Sequence, residues 1–142
     1  MPSLEFAVRF VTRSGEETEL FGEYLFCRLA RKYRTFLLYG EMGSGKTTFV
    51  RGFVRAAGYD GVRSPTFTMV TVYPTPLGRI HHVDLYRLQG EEDFYTLGLL
   101  DVLDREIVVI EWADRLPLRV EGVRLNFSVV NENERVIGVN LP

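Results

Sequence analysis

Eight consecutive residues, Gly40-Glu41-Met42-Gly43-Ser44-Gly45-Lys46-Thr47, have the spacing G-x-x-x-x-G-K-T. Each fixed position has its own chemical task. The glycines let the main chain curl so that successive N–H groups of Gly43, Ser44 and Gly45 point inward as a concave anion nest. Lys46 can reach the β- and γ-phosphates of a nucleotide as a flexible point charge. The Thr47 hydroxyl can ligate a Mg²⁺ that bridges the β- and γ-oxygens, with Thr48 next to it at the start of a helix. The motif predicts a nucleoside-triphosphate site.

Phosphoryl transfer at such a loop also needs acids. Glu111 closes the apolar run Ile107-Val108-Val109-Ile110, the pattern of a metal-holding acid at a strand end, and is expected to bind Mg²⁺ directly or through water. Asp84 closes the less apolar run Arg79 to Val83 and is expected to position the attacking water or brace the groups around it. Thr66 lies in the Pro-stiffened segment Ser64-Pro65-Thr66, where a switch threonine would sense the γ-phosphate. Taken alone, Ser64-Pro65-Thr66-Phe67 reads more readily as a rigid turn than as a switch. His82 reads more readily as a hydrogen-bonded structural residue than as a general base. Trp112 reads either as core or as an anchor for a partner.

These residues require elements to hold them. Thr35 to Tyr39 is a short β-favouring run that should form a buried strand feeding the loop. Phe49, Val50, Phe53, Val54 and Ala57 fall on one face of a helix that Gly58 stops, and its N-terminus aims at the phosphates. Leu4 to Val11 reads as a strand. Ser14 and Glu17 have capping-box spacing, opening a helix to about Lys32 with Phe21, Leu25 and Leu29 along its stripe. Phe67 to Asp84 reads as a hairpin turned by Pro74, Pro76 and Gly78, and Glu91 to Leu97 as a short helix. Ile107 to Ile110 has the continuous apolar character of a strand covered on both faces. Val123 to Val130 and Arg135 to Leu141 form a closing hairpin around Asn131-Glu132-Asn133. The expected fold is α/β and P-loop NTPase-like: a mixed sheet with a parallel centre, antiparallel margins and helices on both faces. Ligands bind such sheets at the carboxyl ends of the parallel strands.

Composition narrows the class. The 142 residues, 46% of them hydrophobic, suit one domain with a real core. Seventeen basic against 19 acidic residues leave a net charge of −2, which argues against a broad basic face that grips nucleic acid unaided. The single cysteine, Cys27, excludes an internal disulfide, fits a reducing compartment and is expected to pack in the first helix. No apolar run approaches the ~18–20 residues of a membrane span, and no leader segment is expected, so a cytoplasmic location is the default.

Read together, Gly40 to Thr48, Ser64-Pro65-Thr66-Phe67-Thr68, His82-Val83-Asp84-Leu85-Tyr86-Arg87, Leu97-Gly98-Leu99 and Glu111-Trp112 resemble the TsaE (formerly YjeE) family. These are small bacterial ATPases of tRNA threonylcarbamoyladenosine synthesis. The resemblance runs from about Glu16 to Arg135. It implies ATP hydrolysis that is weak alone, docking on a TsaD–TsaB pair, and an indirect relation to tRNA through those partners. With TsaC, they make and transfer the threonylcarbamoyl group to adenosine 37. It further implies that Thr47 and Glu111 contact Mg²⁺, that Thr66 and Asp84 are needed for activity, and that Arg135 approaches the nucleotide. The chain departs from the common pattern at Glu41-Met42, where Asp or Asn followed by Leu is usual, and at Ala113-Asp114, where Pro-Glu is frequent.

Two other functions could use the same loop. In a small-molecule kinase, Asp84 would deprotonate an acceptor hydroxyl and Arg87 would steady phosphate, but no Arg-rich lid segment is present. A non-hydrolysing, nucleotide-gated binding module would keep the loop without needing Asp84 or Glu111. Guanine specificity is disfavoured, because no N-K-x-D segment occurs.

Overall fold

The computed structural model describes residues 8–65 and 67–142. The chain runs β1 (Val8–Thr12), α1 (Gly15–Leu29), β2 (Thr35–Tyr39), α2 (Lys46–Ala57), β3 (Val70–Thr75), β4 (Gly78–Asp84), α3 (Glu91–Thr96), β5 (Ile107–Glu111), β6 (Val123–Val129) and β7 (Arg135–Asn140). Single 3-10 turns at Leu99–Asp101 and Ala113–Arg115 flank β5. Residues 4–7 of the expected first strand, and Thr66, lie outside the described residues.

The strands form one seven-stranded sheet in the order β1-β7-β6-β2-β5-β4-β3. The four central strands β6, β2, β5 and β4 are mutually parallel, whereas β3, β7 and β1 pair antiparallel. All five residues of β5 are buried, as expected for a strand covered on both faces. Alternate residues divide the core. Phe36, Leu38, Val109, Val123 and Leu125 meet α1 and α2, while Leu37, Val108 and Ile110 meet Leu85, Phe94, Leu99 and Ala113 on the other side. The cover is uneven: both long helices share one face, and among the described residues the opposite face carries only six-residue α3, the 3-10 turns and loops.

The helices begin where their caps dictate. Ser14 Oγ accepts the Glu17 N–H at 3.0 Å, and the Glu17 carboxylate accepts the Arg13 N–H at 2.8 Å. α1 stops at Leu29, one turn before the expected end, and Lys32 and Tyr33 close turns onto the Leu29 carbonyl. Cys27 is exposed, so the packing role expected of it is incorrect. It falls outside the buried stripe made by Thr18, Phe21, Gly22, Leu25 and Phe26. The β3–β4 turn is also tighter than the prolines suggest. Pro74 and Thr75 remain in β3, which tolerates proline because it is an edge strand. The Thr75 hydroxyl closes the turn by accepting the Leu77 N–H and donating to the Gly78 carbonyl.

Where α1 crosses α2, the two backbones touch. A Cβ on Gly22 would lie 2.2 Å from the Phe49 carbonyl oxygen, and one on Gly52 would lie 1.8 Å from the Glu19 carbonyl oxygen. Arg55 fastens the same crossing by pairing with Glu19 and Glu23. This contact sets the N-termini of both helices side by side at the carboxyl end of the sheet.

Candidate active site

The loop between β2 and α2 wraps the floor of a cleft of about 450 Å³ at the carboxyl ends of the parallel strands. Gly40 is at φ 147°, and a Cβ there would come within 2.7 Å of Ser44 Oγ and 2.8 Å of the Phe127 carbonyl, so only glycine fits. Gly45, at φ 106°, caps α2 without a side-chain bond, leaving the first amides of that helix directed at the cleft. The buried Ser44 hydroxyl has no hydrogen-bond partner among the described residues.

Lys46 is the first residue of α2, and its ammonium folds back over the loop. It donates to the Gly40 carbonyl and, at 3.0 Å, to the Glu41 carbonyl, and it lies 4.1 Å from the centre of the Trp112 ring. Burial pulls its pKa down, and the charges of Glu111 and Asp84 oppose that shift.

The two acids stand together. Asp84 ends β4, Glu111 ends β5, and they are direct register partners across the parallel pair. The Thr47 hydroxyl lies 2.9 Å from both Glu111 carboxylate oxygens. His82 Nε2 lies 2.6 Å from Glu111 Oε2. Asp84 Oδ1 accepts the Tyr86 N–H at 2.9 Å. Burial first, and then the neighbouring Glu111 charge, raise the pKa of Asp84 above its usual range, against the lowering effect of the Tyr86 amide. Two acids, a hydroxyl and an ammonium therefore face one space.

Gly43, Ser44, Gly45, Lys46, Thr47, Thr48, Asp84, Glu111 and Arg135 all line the cleft. Arg135 reaches in from the start of β7. One of its terminal nitrogens donates to the Gly43 carbonyl at 3.2 Å, and the other binds the carbonyls of Asn131, Glu132 and Glu134. Thr66, the expected switch residue, lies outside the described residues; its neighbour Ser64 does line the cleft.

Sequence reasoning did not place several other walls. Ser14, Gly15 and Thr18 at the start of α1 line the cleft, as do Glu132 and Asn133 in the β6–β7 turn. The capping box marked where α1 begins but not which element it would abut. Trp112 is half-buried on the rim and takes a left-handed conformation at φ 57°, unusual for a bulky residue.

The donor set is one of hard oxygens: a hydroxyl and two carboxylates. Among the described residues no group of three or more His, Cys, Asp or Glu side chains could hold a metal by itself. That fits Mg²⁺, which at phosphoryl-transfer sites takes one or two carboxylates and completes its shell with substrate phosphates and water.

Comparison with known proteins agrees with this geometry. The family model described as "Threonylcarbamoyl adenosine biosynthesis protein TsaE" matches residues 12–137. The tRNA threonylcarbamoyladenosine biosynthesis protein TsaE of Rickettsia prowazekii is 30% identical over 131 residues, spanning 89% of this chain and 90% of that protein. Its namesake in Treponema pallidum is 33% identical over 136 residues, spanning 93% and 99%. The crystal structure of YdiB from Bacillus subtilis superposes with a TM-score of 0.72 at 24% identity, covering 98% of this chain and 88% of that one, which establishes a shared fold. With its phosphate loop, its paired acids and a family match along most of its length, the chain belongs to the TsaE family.

Proposed function

We propose that the cleft binds ATP with Mg²⁺ and hydrolyses the γ-phosphate bond, and that this ATPase serves threonylcarbamoyladenosine formation at position 37 of tRNA by acting on a TsaD–TsaB complex in the cytoplasm. The observation that carries this reading is the contact between Thr47 and Glu111, which joins the phosphate loop to the end of β5 where a metal-bridged phosphate would lie. Family membership supports the biological setting, since the relatives bear the name of that tRNA pathway.

Each residue has a role in this scheme. The amides of Gly43, Ser44 and Gly45, with Lys46, hold the β- and γ-phosphates. The orphaned Ser44 hydroxyl suits a ligand oxygen as its partner. Thr48, Ser14, Gly15, Glu132 and Asn133 line the same cleft and leave room beside the phosphate loop for the rest of the nucleotide. Thr47 and Glu111 would hold Mg²⁺, which would supply positive charge against the negative charge that builds on the phosphate during transfer. Asp84 orients the attacking water and accepts its proton, a task that a raised carboxylate pKa suits near neutral pH. Thr66 senses the γ-phosphate and relays nucleotide state to the partner. Arg135 steadies the loop and the phosphates from the β7 side.

Calorimetry with ATP and ADP, with and without Mg²⁺, tests binding. Phosphate release with added TsaD–TsaB tests partner activation. Folded protein that gives no heat with ATP, alone or with its partners, would remove this reading. Equal partner affinity in ATP and ADP would remove the switch alone.

A further inference from the structure

Behind Glu111 runs a line of side chains that the ATPase scheme leaves unused. His82 is wholly buried, at 0% exposure, one strand away from Glu111. Its Nδ1 lies 3.1 Å from the Tyr73 hydroxyl on edge strand β3. That hydroxyl also lies 2.9 Å from the Arg63 carbonyl and accepts the Arg63 N–H at 3.2 Å. The path is unbroken: Arg63 main chain, Tyr73, His82, Glu111, Thr47. Arg63 stands three residues before Thr66 in sequence. The far end of the same loop reaches the other acid, because the Met69 N–H donates to the Pro65 carbonyl at 2.7 Å and the Met69 carbonyl accepts the Asp84 N–H at 2.8 Å.

Geometry gives this line a task. Thr47 is equidistant from the two Glu111 oxygens and cannot choose between them. His82 does choose: it engages Oε2 and leaves Oε1 unclaimed by the imidazole. In a neutral imidazole the nitrogen facing a carboxylate carries the proton, and Nδ1 is then an acceptor. Tyr73 then has one hydroxyl proton and two acceptors beside it, His82 Nδ1 and the Arg63 carbonyl. When the Arg63 carbonyl draws less on that proton, His82 receives more of it, and the bonds along the chain polarise one another. The pull on Glu111 therefore depends on where the 62–65 segment sits.

We propose that Tyr73 and His82 are positioning residues: they orient the Glu111 carboxylate for Mg²⁺ and couple that orientation to the segment leading into Thr66. The inference rests on the reading of Glu111 as a Mg²⁺ acid. A purely structural pair would fill the core and satisfy each other's polar atoms, and its loss would lower stability alone.

The test compares Tyr73→Phe, His82→Leu, His82→Gln and Glu111→Gln with the unmutated protein. Three quantities are read: the melting temperature, ATP binding as a function of free Mg²⁺, and hydrogen exchange of the 62–64 amides with and without Mg-ATP. Groups that orient metal ligands typically change metal affinity 10–100-fold, so Tyr73→Phe and His82→Leu should raise the Mg²⁺ midpoint on the order of tenfold. ATP binding in EDTA should stay the same, and the nucleotide-dependent change in exchange at 62–64 should vanish. His82→Gln, which keeps a donor toward Glu111, should recover part of the Mg²⁺ response. Lower melting temperatures with an unmoved Mg²⁺ midpoint would overturn the proposal. If Glu111→Gln shifts the midpoint and the other variants do not, the positioning role alone fails; if Glu111→Gln also leaves it unmoved, the metal reading of Glu111 fails. Should His82→Leu not fold, Tyr73→Phe, which removes a single oxygen, decides.

Discussion

The Lys46 ammonium lies over Trp112, 4.1 Å from the ring centre, so the cation proposed to meet phosphate rests on the only indole of the sequence. A cation against an aromatic face is attracted by ~0.5–2 kcal/mol, a hold that an incoming triphosphate easily exceeds. Trp112 itself sits in the left-handed region, a conformation costing about 1–3 kcal/mol that persists at functional sites when the surroundings impose it. Saturation with Mg-ATP should therefore draw Lys46 from the ring and shift the tryptophan emission. Lys46→Met should abolish both the shift and tight ATP binding. An emission spectrum unchanged at saturation established by calorimetry would mean that Lys46 keeps its place on the ring.

Glu111 and Thr47 make the second prediction. Glu111→Gln retains an oxygen to accept from the Thr47 hydroxyl but removes the charge proposed to hold Mg²⁺. Metal stabilisation of transition-state charge is worth several kcal/mol, so hydrolysis should fall by about a hundredfold or more while ATP is still bound. Phosphate release in the partner-bound state measures this, and an unchanged rate would take Glu111 out of the mechanism.

Asp84 gives a pH dependence whose sign is fixed by its surroundings. Burial, then Glu111, raise its native pKa above the ordinary value of 3.8. Between 3.8 and the native value the folded protein holds more protons than the unfolded chain, so stability falls as pH climbs through that window, and the penalty persists at neutral pH. Asp84→Asn should thus raise the melting temperature of the nucleotide-free protein at pH 7, and the gain should shrink to nothing as pH falls to the ordinary value. Hydrolysis should be lost in the same variant. Melting curves across pH check the sign: a variant less stable at pH 7 than the parent would contradict it.

The central sheet and the phosphate loop were legible because their signals are local. The continuous apolar run of β5 and the 3.6-residue spacing of Phe49, Val50, Phe53, Val54 and Ala57 each specify one element and one buried face. Long-range placement was not legible. Nothing in Ser14 or Glu132 indicates that a helix cap and a hairpin turn will wall the same cleft, because that follows from the Gly22–Gly52 crossing and the β6–β7 register. Cys27 misled for a related reason: a helix buries one stripe, and a cysteine one position off it faces water. The Tyr73–His82 contact was hidden because the register of β3 against β4, with Tyr73 opposite Ile80 and His82 opposite Thr71, makes them diagonal neighbours on one face.

Arg135 ties the β6–β7 turn to the phosphate loop through the Gly43 carbonyl. Charge-assisted hydrogen bonds contribute about 1.5–3 kcal/mol, so Arg135→Ala should weaken ATP binding by roughly tenfold or more. Arg135→Lys keeps the charge but not the planar fork that grips several carbonyls at once, so it should recover only part of the affinity. Titration of both variants with ATP measures the difference, and equal affinity of Lys and Ala would reduce the role of Arg135 to its geometry alone.

The α1–α2 crossing should prove to be a determinant of the nucleotide site at a distance. A methyl at position 52 would need space 1.8 Å from a main-chain oxygen of α1, so Gly52→Ala must push the helices apart. Overpacking of this kind costs about 1–3 kcal/mol, a fall in melting temperature of roughly 3–10 °C at this chain length. The displaced α1 carries the Ser14, Gly15 and Thr18 wall with it, so ATP should bind more weakly even where the protein is fully folded. The Mg²⁺ midpoint should not move, because Thr47, Asp84 and Glu111 are held by α2 and the sheet. Gly138→Ala is the matched control: a Cβ there meets nothing within 4 Å, and stability should change by no more than about 0.5 kcal/mol. Parallel melting curves and ATP titrations of the two variants separate a wall set by helix packing from one set by the loop alone; unchanged ATP affinity in folded Gly52→Ala would favour the loop.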